Sequence, residues 1–206
     1  MTRRIAAVLV RPRESGAPPG VDPAAFALAL AEDTADVLAD LDQCEPAVIA
    51  CPPAYADRVA GLLWPDTPLL TVPDGPTAAT TRAAFDALHA LGATEAVIVA
   101  GDAPDLPGLL VGKLFSALST ADVAICPAAS GLVAIAARLP AAPWLAAAGA
   151  GLDTDDAHAR LAAAAPRPAA LAVVSGWHRL RSAADIAALD YDLEGWDATR
   201  ALLGGY

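Results

Sequence analysis

Short apolar runs alternate along the chain with longer segments in which apolar residues recur three and four positions apart. Ile5–Val10, Ala47–Cys51, Leu69–Val72, Ala96–Ala100 and Asp122–Cys126 are four to six residues long, rich in Val, Ile and Leu, and apolar on both faces. Such runs suit strands covered on both sides, as in a parallel sheet. Between them, Asp22-Pro23 supplies an N-cap followed by Pro at the first helical position, and Phe26, Leu30, Val37, Leu38 and Leu41 follow at helical spacing. Glu32, Asp33, Asp36 and Asp40 fall largely off that stripe and are expected to form a solvated face. Pro53 and Pro76 open the next two helices, the latter with Ala84, Leu88 and Leu91 as its buried stripe. The order βαβαβαβαβ predicts one α/β domain over residues 1–206, a mostly parallel sheet flanked by helices. After Cys126 the rhythm changes. Pro127–Ser130 reads as a turn, Leu132–Ala137 as a strand, and Leu139–Leu152 as a Pro-, Gly- and Ala-rich stretch. A helix capped by Thr154 or Asp155 and running to Ala165, a strand over Ala170–Val174 and a short helix over Ser182–Leu189 complete the pattern.

Composition tempers the apparent greasiness. Of 206 residues 56% are apolar, but 54 are alanines, so large apolar side chains are far fewer than that figure suggests. The longest uncharged apolar stretch, between Asp122 and Arg138, is broken by Pro127 and Gly131 and is too short for a membrane span. The run after Arg3-Arg4 ends at Arg11 without a small-residue cleavage site, so it reads as the first strand of a cytoplasmic protein. A formal charge of −11 with no basic stripe argues against a nucleic-acid partner. Cys44, Cys51 and Cys126 show no paired spacing, and Cys51 and Cys126, which end apolar runs, are expected to be buried.

Ligands of an open parallel sheet bind beyond the carboxyl ends of its strands. Of those ends, Gly101-Asp102-Ala103-Pro104-Asp105-Leu106-Pro107 is the most pointed, with two carboxylates in a Pro-stiffened loop just past a buried strand. Carboxylates there can hold Mg²⁺ against a nucleotide's phosphates. The structural alternative is an Asx-turn at Asp102 and a helix cap at Asp105. His178, beside Trp177, is a candidate base or ligand, with a satisfied structural group as its alternative. His89 and His158 are expected to be exposed. Ser130-Gly131 has no histidine in a triad arrangement, which sets a hydrolase aside. Ser182 and Asp185 have the spacing of a capping pair, and Trp196 is expected to anchor the C-terminal segment or to make a dimer contact.

The Asp102–Pro107 motif, the helix after it, the strand in Ala121-Asp122-Val123-Ala124-Ile125-Cys126-Pro127-Ala128 and the later Trp177-His178-Arg179-Leu180-Arg181-Ser182 run together resemble the nucleotide-diphospho-sugar transferase (GT-A-like) superfamily. Within it the chain is most similar to small bacterial glycosyltransferases of arsenosugar type, and more distantly to phospholactate guanylyltransferases. The resemblance implies a GT-A fold, a nucleotide-activated small-molecule substrate and a Mg²⁺ or Mn²⁺ ion at Asp102 and Asp105, which become the candidate catalytic residues.

Departures from the family pattern alter those implications. The family's Gly-rich phosphate loop ending in Lys-Thr-Arg is replaced by Arg11-Pro12-Arg13-Glu14-Ser15-Gly16, leaving Arg11, Arg13 and Gly16 as candidate nucleotide-binding residues. Thr77-Ala78-Ala79-Thr80 stands where Leu-Gly-Glu-Arg is expected. Ala129-Ser130-Gly131 replaces Asp-Gly-Gly, and Ser130, Gly131 and His178 join the binding set. Arg179-Leu180-Arg181-Ser182 replaces Asp-Val-Asp-Thr, so a metal-ligand acid has become an arginine. A divalent ion about 4 Å from a guanidinium is repelled by roughly 8 kcal/mol at an effective dielectric near 20. Arg181 is therefore expected to pair with Asp102 or Asp105 and to replace the metal. Two functions follow: a transferase acting by electrostatic stabilisation of a departing diphosphate, or a degenerate ligand- or partner-binding module, with a homodimer among the expected states. Arg11, Arg13, Arg179 and Arg181 all fall in segments expected at the rim of the site.

Overall fold

The computed structural model describes residues 2–13, 16–189, 192 and 194–204. Seven strands form one sheet: β1 (Arg4–Val10), β2 (Glu45–Ala50), β3 (Leu69–Thr71), β4 (Glu95–Ala100), β5 (Val123–Pro127), β6 (Leu132–Arg138) and β7 (Leu171–Val173), in the order β3-β2-β1-β4-β6-β5-β7. The helices are α1 (Pro23–Ala39), α2 (Ala56–Ala60), α3 (Thr77–Ala90), α4 (Gly108–Ala117), α5 (Pro143–Ala147), α6 (Ala157–Ala164) and α7 (Asp197–Leu203). Short 3₁₀ turns cover Pro53–Tyr55, Pro168–Ala170 and Ala183–Ala188.

The five inner strands, β2, β1, β4, β6 and β5, are buried on both faces because alternate residues feed two cores. Ile5, Ala7 and Leu9 of β1 and Ala96 and Ile98 of β4 pack on one side with Ala84, Phe85 and Leu88 of α3 and Leu161 of α6. Ala6, Val8, Val10, Val97 and Val99 face the other side, against Ala31 and Leu38 of α1 and Val111, Leu114 and Phe115 of α4. All strand pairs are parallel except those of β6, which runs antiparallel to both β4 and β5. The tight β5–β6 connection forces this, because so short a link can join only antiparallel strands. Gly131 makes that turn with φ +75°, and a Cβ there would collide with the Leu152 carbonyl oxygen.

Helix starts follow the chemistry read from the sequence. The Asp22 side chain accepts from the Ala25 amide at 2.8 Å, ahead of Pro at the first position of α1. Ser182 and Asp185 form a reciprocal capping box, and Cys51 and Cys126 are buried. α5 is a short helix inside the Pro-, Gly- and Ala-rich stretch, with Leu145 buried. Two expectations need correction. α6 begins at Ala157 with no side-chain cap from Thr154 or Asp155. Asp33 is not solvated: it is buried at the N-terminus of α7, where its oxygens accept from the amides of Ala198 at 2.9 Å and Thr199 at 2.7 Å. Trp196 is 3% exposed and packs with Phe26, Leu30, Leu180, Leu189 and Leu203, so it anchors the C-terminal segment and offers no dimer surface. Among the described residues, no helix is long and apolar enough to cross a membrane.

Candidate functional site

The topology places a crevice between β1 and β4, where the chain order reverses, and a cleft of about 320 Å³ opens there beyond the carboxyl ends of the strands. Arg11 and Arg13 enter it from the end of β1, Cys51 and Pro52 from β2, Asp74 from the loop after β3, and Gly101 and Asp102 from β4. Asp153 arrives from the connection between α5 and α6, and Arg179 and Arg181 from the segment after β7. Four guanidinium groups thus meet three carboxylates, an excess of positive charge within a chain whose total is −11.

Arg179 and Asp102 form the floor, each side chain 5% exposed. Nε of Arg179 donates to Oδ1 of Asp102 at 2.6 Å, and Nη2 donates to Oδ2 at 3.0 Å and to Oδ1 of Asp153 at 2.8 Å. Nη1 donates to the carbonyls of Leu132 and Leu152 at 3.1 and 3.0 Å. All five N–H donors of this guanidinium are satisfied. Burial opposes the charge of Arg179, but the adjacent Asp102 and Asp153 outweigh it and hold the group above its ordinary pKa. Arg13 closes on Asp102 from the other side through Nη2, while its Nη1 donates to the Leu180 carbonyl at 2.6 Å.

The mouth is built differently. Arg181 donates through Nη2 to Asp153 at 2.9 Å and through Nη1 to Ser130 Oγ at 3.5 Å, and Ser130 in turn donates to Asp155. Arg11 pairs with Asp74 and, at 3.4 Å, with Asp153. Burial pushes the Asp153 carboxyl up, but Arg179, Arg181 and Arg11 together outweigh it and hold it below the usual carboxylate range. The Arg11 hydrogen bond does the same for Asp74. Arg11, Arg13 and Arg181 are 30%, 24% and 33% exposed, and the Nε of each donates to no described residue. These three retain donors for a ligand, whereas Arg179 has none left.

The predicted site residues therefore separate. Arg11, Arg13, Asp102 and Arg181 line the cleft. Gly16 lies beside it, at φ +99°, with room for no Cβ because the Arg181 carbonyl oxygen would be 2.7 Å away. Glu14 and Ser15 of that loop lie outside the described residues. Ser130 touches Arg181, and Gly131 admits the Leu152–Asp153 backbone. Asp105 and His178 are elsewhere: the Asp105 carboxylate is buried, accepts from Trp177 Nε1 at 3.2 Å and lies 2.9 Å from His178 Nε2. Neither Asp102 nor Asp105 caps α4, whose N-cap is Pro107. The expected Arg181 pair with Asp102 or Asp105 is not formed. Arg179 holds the inner position on Asp102, and Arg181, two residues on, reaches Asp153 at the mouth. Asp153 and Asp74 went unread in the sequence, because each stands in a loop with no periodicity around it. The Arg-Leu-Arg alternation was the available signal for Arg179, since residues two apart share one face of an extended segment.

Mg²⁺ or Mn²⁺ on Asp102 and Asp105 does not fit this arrangement. The two carboxylates do not converge, both oxygens of Asp102 accept from guanidinium groups, and among the described residues no three Asp, Glu, His or Cys side chains are grouped to hold a metal.

The described residues thus form a mostly parallel sheet with one antiparallel strand, β6, and carry an arginine-lined cleft at its switch point. No protein-family model matches the sequence, and no curated protein matches it. Solved structures do. A Desulfovibrio desulfuricans G20 protein assigned to the nucleotide-diphospho-sugar transferases superposes with a TM-score of 0.76 at 17% identity, covering 100% of this chain and 95% of that one. The 4-diphosphocytidyl-2C-methyl-D-erythritol synthase of Anaerococcus prevotii DSM 20548 follows at a TM-score of 0.65 and 14% identity, over 98% and 96% of the two chains. Rv0371c of Mycobacterium tuberculosis H37Rv, solved in complex with manganese, gives 0.52 and 22% over 98% of each chain. At these identities the likeness establishes the fold.

Proposed function

We propose that the protein is a small-molecule transferase that grips the diphosphate of a nucleotide-activated donor with Arg11, Arg13 and Arg181. The observation that carries this reading is the set of open N–H donors on three partly exposed arginines that line a cleft of small-molecule size at the switch point. Guanidinium groups match phosphate oxygens in pairs. In glycosyl transfer the departing group is a nucleoside diphosphate, and in nucleotidyl transfer it is pyrophosphate. Both develop negative charge on a diphosphate, which fixed arginines stabilise without proton transfer. The base and ribose would lie along Leu9, Val10, Ala27 and Leu30, the apolar part of the lining. A cytoplasmic setting, where such donors are soluble, belongs to the same reading.

A binding module without turnover is favoured by one observation: Asp102, the carboxylate deepest in the cleft, is fully paired and free to act neither as base nor as nucleophile. The two readings part in one experiment. UDP, GDP, CDP, dTDP and their sugars are added to the protein in a thermal-shift panel with and without chelator. A ligand at 100 times its Kd stabilises the fold by about 2.7 kcal/mol, a rise of roughly 5–10 °C for a domain of this size. A shift accompanied by release of nucleoside diphosphate or pyrophosphate from an activated donor supports the transferase, and a shift without release supports the module. No shift with any of them at millimolar concentration removes the transferase and leaves the module, with a ligand or partner other than these nucleotides.

A further inference from the structure

Two carboxylates meet on one nitrogen at the floor of the cleft. Nη2 of Arg179 lies 3.0 Å from Asp102 Oδ2 and 2.8 Å from Asp153 Oδ1. The carboxylates come from different parts of the fold, the end of β4 and the α5–α6 connection, and without a cation between them they would face each other as like charges, Asp102 buried and Asp153 26% exposed. Two solutions are available to a protein. A divalent ion can bridge the oxygens and share its remaining positions with phosphate, or a guanidinium can bridge them through hydrogen bonds. We infer that Arg179 is a built-in replacement for a divalent cation at this centre, so that the cleft holds its anion without metal. The inference deepens the nucleotide reading and rests on it only for the identity of the anion.

Three features make the replacement permanent. Every N–H of Arg179 is satisfied, two of them by the main-chain carbonyls of Leu132 and Leu152, so the side chain cannot swing aside without breaking five hydrogen bonds at once. Its side chain is 5% exposed, against 24% to 33% for the other three arginines of the cleft. Arg13 occupies the remaining approach to Asp102. An incoming dication would add its charge to a centre where four arginines already face three carboxylates. Arg179 thus acts as a positioning residue: it fixes Asp102 and Asp153, and through Asp153 it orients Arg181 toward the mouth.

The test titrates Mn²⁺ into the full chain with no nucleotide present and follows the free ion by electron paramagnetic resonance. The wild type is expected to show no saturable binding at millimolar Mn²⁺. Arg179→Met removes the one cation shared by Asp102 and Asp153, leaving three arginines against the three carboxylates of the cleft, and is expected to bind Mn²⁺ at least tenfold more tightly than the wild type, an effect reversed by adding Asp102→Asn. A merely structural role for Arg179 would not create that site. Saturable binding in the wild type that disappears in Asp102→Asn overturns the inference, as does a folded Arg179→Met protein that gains no Mn²⁺. Should Arg179→Met fail to fold, the comparison of wild type with Asp102→Asn decides alone. In a second arm, UDP and GDP are expected to bind equally with chelator and with Mn²⁺, and binding that requires Mn²⁺ overturns the inference. If no nucleotide binds in any condition, the nucleotide reading fails while the Mn²⁺ titration still decides whether Arg179 replaces a cation.

Discussion

Arg179 and Arg181 are two positions apart and chemically identical, yet the structure gives them opposite duties. Removing the inner one strips Asp102 and Asp153 of their shared partner in a buried setting, where loss of one member of an ion pair costs about 3–5 kcal/mol. Removing the outer one leaves a void at a mouth that is already one-third open. Arg179→Ala should therefore lose several kcal/mol of stability in urea denaturation, while Arg181→Ala stays within about 1 kcal/mol of the parent. Nucleotide binding should respond in the reverse sense. Arg181→Ala loses a charged hydrogen bond to the ligand, worth about 1.5–3 kcal/mol, and should weaken nucleoside diphosphate binding by roughly 10- to 150-fold in calorimetric titration. Equal losses of stability in the two variants, or unchanged affinity in Arg181→Ala, would show that the division into floor and mouth is wrong.

At the scale of elements, α7 depends on a side chain from another helix. Its N-cap, Trp196, has left-handed backbone angles and makes no side-chain capping bond, and the amides of Ala198 and Thr199 are satisfied by Asp33 of α1. Burial raises the Asp33 carboxyl pKa, with the bonds to Thr199 and Ala198 opposing the shift. Asp33→Ala should cost about 1–2 kcal/mol, the usual value of a helix cap. The loss should appear in hydrogen exchange as faster exchange of the Ala198 and Thr199 amides, with the amides of β1 and β4 unchanged. Uniform acceleration across the sheet would instead mean that α7 and the core unfold as one unit. This pair also shows where sequence reading reaches its limit. A carboxylate at 33 followed by others at 36 and 40 has the pattern of a wet helix face, and only the arrival of α7, some 165 residues later in sequence, makes Asp33 a buried acceptor. Strands β1, β2 and β4 were legible because burial on both faces leaves a continuous apolar run, a property local to the sequence. The direction of β6 follows from the short turn before it, but its insertion between β4 and β5 was not legible, since periodicity carries no information on strand order. In the cleft, Asp102 and the arginines near positions 11 and 181 could be found from the strand ends, whereas Asp153 sits in an Ala- and Gly-rich connection whose only distinction is what folds against it.

For the whole molecule the balance of charge sets a pH dependence whose sign can be worked out. Asp153, Asp74 and Asp185 have carboxyl pKa values below the ordinary range in the folded state. A carboxyl lowered by folding contributes stability that is fully present above its unfolded value near 4 and is lost as pH falls through the folded value. Asp33 and Glu32 are shifted the other way, chiefly by burial. Their contribution is present below the unfolded value and is lost as pH rises toward the raised folded one. The two groups together favour the ordinary carboxyl pKa, near 4. Self-repulsion acts in the same direction, because a chain with eleven excess negative charges at neutral pH approaches neutrality at its isoelectric point of about 4.4. Maximum stability should therefore lie near pH 4–5, below the pH 5–8 at which most proteins are most stable. Chemical denaturation across pH 2–8 should show the free energy declining on both sides of that point. Asp153→Asn, though less stable throughout, should have a shallower acid limb, because its share of the proton uptake below pH 4 is gone. A maximum at neutral pH would show that the carboxylates of the cleft and of α1 do not govern the curve, and an unchanged acid limb in Asp153→Asn would show that the arginines do not hold Asp153 ionised.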